Sequence, residues 1–242
     1  MINGEIDAEV ANVLMHHAQE GDKNRMLDGV VGASVTAEAL ELLSRSKLRV
    51  VINPALGELT EQSLDTARLK RPVRAGVLGQ PNYTFVLDLR AEYVEQYGRI
   101  TNQQKRDLVL AWAVGSTSNS NTITLVEDGM VIGNGVGQQD RIGAAQLALS
   151  RTTTAFPSFE SKDDKLVMSI ELDKKKLEGA VAYSDSFFPF PDGPMILADA
   201  GIKAILASSG SVADKDVIAT LNKAGVSLTM IPDKLGRGFF GH

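Results

Sequence analysis

The run Met195-Ile-Leu-Ala-Asp-Ala-Gly-Ile-Lys-Ala-Ile-Leu-Ala207 decides the class of fold. Its first half, through Met195 to Ala200, reads as a helix that Gly201 stops, because glycine closes a last helical turn in the left-handed conformation at no steric cost. Its second half, Ile202 to Ala207, is a short apolar run of strand length. The same pair recurs at once: a helix from Asp214 to Ala224 is stopped by Gly225, and Val226 to Ile231 reads as the next strand. Toward the N-terminus, Gly29 to Ser34 reads as a buried strand, Thr36 caps a helix from Ala37 to Ser44, and Lys47 to Ile52 returns as a strand. Helices alternating with short β-rich runs imply an α/β fold with sheets covered by helices.

Between these blocks, Thr101-Asn-Gln-Gln104 has capping-box spacing ahead of a helix that carries Leu108, Val109 and Trp112 and ends near Gly115. The polar run Ser116 to Asn121 must be a loop. Thr122 to Val126 and Met130 to Gly133 flank Glu127-Asp128-Gly129, a hairpin signal, since Asp-Gly supplies the positive φ of a tight turn. A glycine-rich turn, Gly133 to Gly137, precedes a helix from about Asp140 to Arg151. A division after Gly115 gives two α/β subdomains, 1–115 and 116–242, the second holding the site motifs. Thr152 to Lys176 is the most hydrophilic stretch, and Lys174 to Lys176 reads as a solvated helix face.

Composition narrows the function classes. The 242 residues are 43% hydrophobic and carry 25 Lys and Arg against 30 Asp and Glu, a net charge of −5 that offers no basic surplus for nucleic acid or an anionic membrane. Small-molecule or protein partners are favoured. Without cysteine there is no disulfide, thiolate metal site or cysteine nucleophile, and three histidines remain for metal or acid-base chemistry. No apolar run reaches the ~20 residues of a membrane span, and the N-terminus lacks the pattern of a signal peptide, so a cytoplasmic location is expected.

The candidate site centres on Ser184-Asp-Ser-Phe-Phe-Pro-Phe-Pro-Asp-Gly193, which packs three Phe, two Pro and two Asp into ten residues. Its prolines hold rings and carboxylates on a stiff turn, suited either to a ligand pocket or to plugging the core. Gly133-x-Gly-x-Gly137 admits a phosphate-cradling reading, but it lacks dinucleotide spacing and follows a hairpin, so a tight turn is favoured. Ser120-Asn121 either places an amide at a pocket mouth or forms a turn. His16 and His17 point apart on a helix and read as surface residues. His242 is either a tag remnant or a terminal residue folded into a site.

Several of these segments, in order, resemble the AICAR transformylase family, the domain that accompanies IMP cyclohydrolase in a bifunctional purine-biosynthesis protein. They are Asn3-Gly-Glu-Ile-Asp7, Gly32 to Leu43, Trp112, Ser120-Asn121, Ile132-Gly-Asn-Gly-Val-Gly-Gln-Gln-Asp-Arg141, Ser184 to Gly193 and the small-residue turn Ser208 to Val212, with His242 at the end. The resemblance implies mixed sheets of cytidine-deaminase-like type covered by helices, in a homodimer or with a complementing chain. It further implies formyl transfer from 10-formyltetrahydrofolate to AICAR. In that likeness Asn121 is the catalytic amide. Phe187, Phe188, Phe190, Asp192, Arg141 and Ile142 border AICAR and folate, and Asp185, Ser120, Thr122 and His242 surround a potassium ion.

The departures bear on activity. No Lys-His dipeptide, the family's base-bearing pair, occurs anywhere in the chain, and the first matching segment lies inside the family's domain. Ala113, Ser116 and Asn119 replace family lysines, Pro191 replaces a frequent Arg, and Gly238-Phe-Phe-Gly-His242 replaces an Arg-containing ending. A phosphate-bearing ligand loses cationic help at each. The alternative to a transformylase that needs a missing half-site is therefore a non-catalytic relative serving as a binding, assembly or regulatory module.

Overall fold

The structure is a computed structural model that describes residues 1–17, 24–44, 47–155, 159–162, 165–168 and 177–236. The chain forms two compact units, Met1–Asp65 and Thr66–His242.

In the first unit, β1 (Glu5–Ile6) leads into α1 (Ala8–His16), capped by Asp7, whose Oδ1 accepts from the Val10 amide at 2.9 Å. Strand β2 (Gly29–Gly32) pairs in parallel with β4 (Arg49–Ile52), and the short β3 (Ser34–Val35) pairs in parallel with β1. Helix α2 (Ala37–Leu42) is capped by Thr36, as expected from sequence, so the β-α-β unit forms as read. Ile6, Ala11, Met15, Val30, Ala39 and Leu43 make its core.

The second unit begins with an antiparallel hairpin, β5 (Leu69–Val73) and β6 (Gly76–Gln80), and the edge strand β7 (Glu95–Tyr97). Helix α3 (Asn102–Gly115) follows with both capping-box bonds present: Thr101 Oγ1 accepts from the Gln104 amide at 3.1 Å and Gln104 Oε1 from the Thr101 amide at 2.9 Å. Strands β8 (Ile123–Glu127) and β9 (Met130–Gly135) form the expected hairpin around Asp128 and Gly129, both at positive φ. Then come α4 (Arg141–Ala155), the hairpin β10 (Phe159–Lys162) and β11 (Lys165–Met168), β12 (Val181–Ser184), α5 (Asp192–Ala200), β13 (Ala204–Ser209), α6 (Asp214–Lys223), β14 (Ser227–Pro232) and the single turn α7 (Asp233–Gly236). Gly201, at φ 111°, ends α5 as read from sequence. The residues 174–176 lie outside those described.

Six strands form one mixed sheet in the order β7-β14-β13-β12-β8-β9, parallel across β12, β13 and β14 and antiparallel at every other pairing. Helices cover both faces, so the central strands are apolar on both sides. The two-residue period sorts them: Val181, Tyr183, Ala204 and Leu206 pack with Leu108 and Ala111 of α3, while Ala182, Ile205 and Ala207 pack with α4, α5 and α6 through Ala148, Leu197 and Leu221. The architecture is thus α/β, with mixed sheets covered by helices.

Two expectations change. The division into units falls at Asp65, not after Gly115, because α3 packs directly on the sheet formed by β8, β12 and β13 and shares its core. The glycine-rich segment is not one turn: Gly133 and Gly135 belong to β9, where a Cβ would lie 2.2 Å from Ala148 O and 2.1 Å from Ala144 O. They let α4 lie against the strand, and Gly137 alone, at φ 68°, makes the turn.

Candidate functional site

The register of the sheet builds the site. Ile123 at the start of β8 stands opposite Ser184 at the end of β12 and opposite Gly135 at the end of β9. The residues entering β8, leaving β9 and leaving β12 therefore meet at one rim. Hydrogen bonds carry the ladders past the strand ends. The Gly137 amide donates to Asn119 O at 2.9 Å, the Asn121 amide to Gln138 O at 3.2 Å, and the Gln138 amide to Asn121 O at 3.1 Å. Asn121 Nδ2 adds a bond to Gln138 O at 2.9 Å. On the other side the Asp185 amide donates to Thr122 O at 3.2 Å, and the Thr122 amide to Asp185 Oδ1 at 2.9 Å.

A cavity of about 380 Å³ opens at this rim, lined by Asn121, Gln139, Asp140, Arg141, Ser186, Phe187 and Pro189. Asp140 caps α4: its Oδ1 accepts from the Gly143 amide at 2.6 Å, and its carbonyl from the Ala144 amide at 3.1 Å. That cap fixes Arg141 in the first helical position. Arg141 Nη1 donates to Asp185 Oδ1, forming an ion pair whose side chains are 10% and 0% exposed. Removing one member of such a pair leaves an uncompensated buried charge and costs about 3–5 kcal/mol.

Ser186 is anchored from behind. Its Oγ donates to Asp233 Oδ1 at 3.2 Å, and Ser208 Oγ donates to the same oxygen at 2.6 Å, tying the turn after β12 to the ends of β13 and β14. Beneath lies Tyr183, whose hydroxyl has no partner among the described residues. Burial, then the nearby Tyr83 and Asp185, push its pKa well above the ordinary phenol value.

The structure brings Asn121, Arg141 and Phe187 together and separates other residues of the expected set. Phe188 is buried in the core beneath α5, with its ring against Gly193. Phe190 is 64% exposed, Asp192 is exposed and accepts from the Gly193 amide at 2.8 Å, and Ile142 is half-buried; none of these three lines the cavity. His16 is exposed at the end of α1 and His17 half-buried beyond it. Gln139, Asp140, Ser186 and Pro189 line the cavity but were not singled out from sequence. Their signal was present in the helix start at Asp140 and in the Phe-Pro motif itself.

The oxygen set expected around potassium is met only in part. His242 lies outside the described residues. Thr122 Oγ1 donates to Asn119 O at 2.6 Å, and Asp185 already faces a guanidinium, leaving its Oδ2 as one buried oxygen without a hydrogen-bond partner. No cluster of three or more acidic or histidine side chains suited to a metal occurs among the described residues. A carboxylate neutralised by arginine is not a cation cage.

Chemically, the rim offers a fixed amide that donates and accepts, a half-buried aromatic ring and a hydroxyl, suited to a flat polar heterocycle. The carboxylate and the guanidinium that line it are each engaged with a protein group.

The model of the AICARFT/IMPCHase bienzyme matches residues 1–151. The bifunctional purine biosynthesis protein PurH of Thermotoga maritima is 31% identical over 98% of this chain, and that of Anoxybacillus flavithermus 31% identical over 94%. The chain spans 43% and 38% of the lengths of those two relatives. Among solved structures, the dCMP deaminase of cyanophage S-TIM5 is similar over 55% of this chain at 18% identity, with a TM-score of 0.33. The match to the bienzyme model runs through the helix α3, the hairpin β8-β9 and the rim residues Asn121 and Arg141, and the chain belongs to the AICARFT/IMPCHase bienzyme family.

Proposed function

We propose that the second unit carries an AICAR-transformylase half-site, in which formyl transfer from 10-formyltetrahydrofolate to AICAR needs a Lys-His pair supplied from outside this sequence. The observation that carries the reading is the convergence of Asn121, Arg141 and Phe187 on one cavity of about 380 Å³ from segments far apart in the chain. Asn121 would orient the AICAR carboxamide, since its side chain is held by Gln138 O and needs no reordering on binding. The Phe187 ring would flank the heterocycle. Arg141 would act through Asp185, stiffening the rim rather than binding phosphate.

Transfer of a formyl group passes through a tetrahedral species and needs a base for the attacking amine. Asp140 is the one carboxylate lining the cavity among the described residues, and the Gly143 amide already occupies one of its oxygens. That observation favours a second reading, a relative that binds ligand without turning it over. Tetrahydrofolate release from 10-formyltetrahydrofolate plus AICAR, with calorimetry of AICAR alone, separates the two. AICAR binding that Asn121→Ala abolishes, with no release by the chain alone and release on adding a chain bearing the Lys-His pair, is the expected result. AICAR binding with no release even after complementation supports the second reading. No AICAR binding at all by the purified chain refutes the half-site and favours a non-catalytic assembly or regulatory module.

A further inference from the structure

We propose that a second cavity, at the β7 edge of the sheet, binds a phosphate-bearing small organic molecule. This cavity, about 420 Å³, lies between the chain entering β7 and the first turn of α3. It is the size of a nucleotide-scale site. Arg90, Arg99 and Lys105 contribute to its lining, and among the described residues no Asp or Glu does, in a chain with 30 acidic residues against 25 basic ones.

The three cations are not equivalent. Arg90 is engaged: its Nε donates to Asp88 Oδ1 at 3.0 Å, and its side chain is 91% exposed. Arg99 and Lys105 form no ion pair among the described residues. The nearby Glu95 is turned to another task, accepting from the Tyr97 hydroxyl at 2.6 Å. Gln96, the remaining polar side chain of the lining, is also committed: its Nε2 donates to Leu228 O at 3.4 Å and its Oε1 accepts from Thr229 Oγ1 at 2.8 Å, locking β7 to β14. Polar recognition in this cavity therefore falls to the two free cations, which match the charge of a phosphate monoester and its three acceptor oxygens.

The rest of the lining is apolar. Leu89, Val94 and Ile100 are half-buried and offer carbon surface beside the cations. Inorganic phosphate uses only the cations, whereas an organic phosphate also covers this surface. The occupant is accordingly a phosphorylated small molecule rather than the free ion. The site lies at the sheet edge, separated from β12 by β14 and β13, so the inference does not rest on the formyl-transfer reading.

The test uses the full chain with adenosine 5′-monophosphate and, separately, inorganic phosphate, by calorimetry and by amide shifts in NMR spectra. The expected result is saturable binding of the nucleotide, at least tenfold tighter than inorganic phosphate, weakened at least tenfold by Arg99→Gln with Lys105→Gln. Shifts should cluster within residues 89–105. Both substitutions are at exposed positions, and an unchanged melting temperature confirms that the variant is folded. Binding that survives the double substitution, shifts confined to residues 119–122, 138–141 and 185–189, equal affinity for inorganic phosphate, or no binding would each overturn the proposal.

Discussion

The two cavities of the larger unit are near in size and opposite in what their charges face. At the β8-β12 rim the cation Arg141 is paired with Asp185, and both are almost wholly out of water. At the β7 edge Arg99 and Lys105 stand exposed without an ion-pair partner among the described residues. A buried charge must be matched by its own protein, so the guanidinium at the first cavity is already neutralised; an exposed one is matched by water and can exchange it for a ligand. Charge near a cavity is thus no guide to ligand charge until its internal partners have been accounted for.

The largest effect that separates the two should come from their arginines. Arg141→Ala leaves Asp185 buried without its counter-charge and is expected to cost about 3–5 kcal/mol in urea unfolding, while Arg99→Ala changes stability by about 0.5 kcal/mol or less. Equal costs would break the comparison. Next, Gly135→Ala places a Cβ against the backbone of α4, an overpacking expected to cost about 1–3 kcal/mol. Because α4 carries Asp140 and Arg141, AICAR affinity should fall with it, while nucleotide binding at the β7 edge should not.

Thr101→Ala acts in the opposite sense. Loss of the cap that starts α3 should cost about 1 kcal/mol and loosen the turn bearing Lys105, weakening the β7-edge site and sparing the rim. A further effect concerns alkaline pH. Burial pushes the Tyr83 phenol up to about 12, so the folded state holds its proton more tightly than the unfolded chain. Its contribution is complete below pH 10 and is lost as pH rises toward 12. Tyr83→Phe should flatten the fall in stability over that range, at the cost of about 1 kcal/mol for the bond lost from Trp112 Nε1. Chemical denaturation between pH 9 and 12 checks the slope.

What could be read from sequence was what local chemistry enforces. The caps at Thr36 and Thr101, the Asp128-Gly129 turn and the Gly201 stop each act within a few residues, and each formed as expected. The edge strand β7 was not legible, because three residues gain strand form only by pairing with β14 more than 130 positions later. Within the Phe-Pro motif the composition announced importance but not orientation. Phe187 lines the cavity and its neighbour Phe188 enters the core, a choice made by α5 packing above the bend. The tie from Ser186 and Ser208 to Asp233 was equally hidden, since it joins three strand ends through side chains alone.

The bonds that extend the β8-β9 ladder through Asn119, Asn121, Gly137 and Gln138 have an evolutionary corollary. Two loops stitched together amide by amide cannot drift separately: a residue inserted in either one shifts the other's register and carries the Asn121 side chain with it. Changes of ligand preference at this rim are therefore expected to arrive as side-chain replacements at fixed loop length, and the same holds for the turn after β12, which Asp185 and Ser186 tie to Thr122, Arg141 and Asp233.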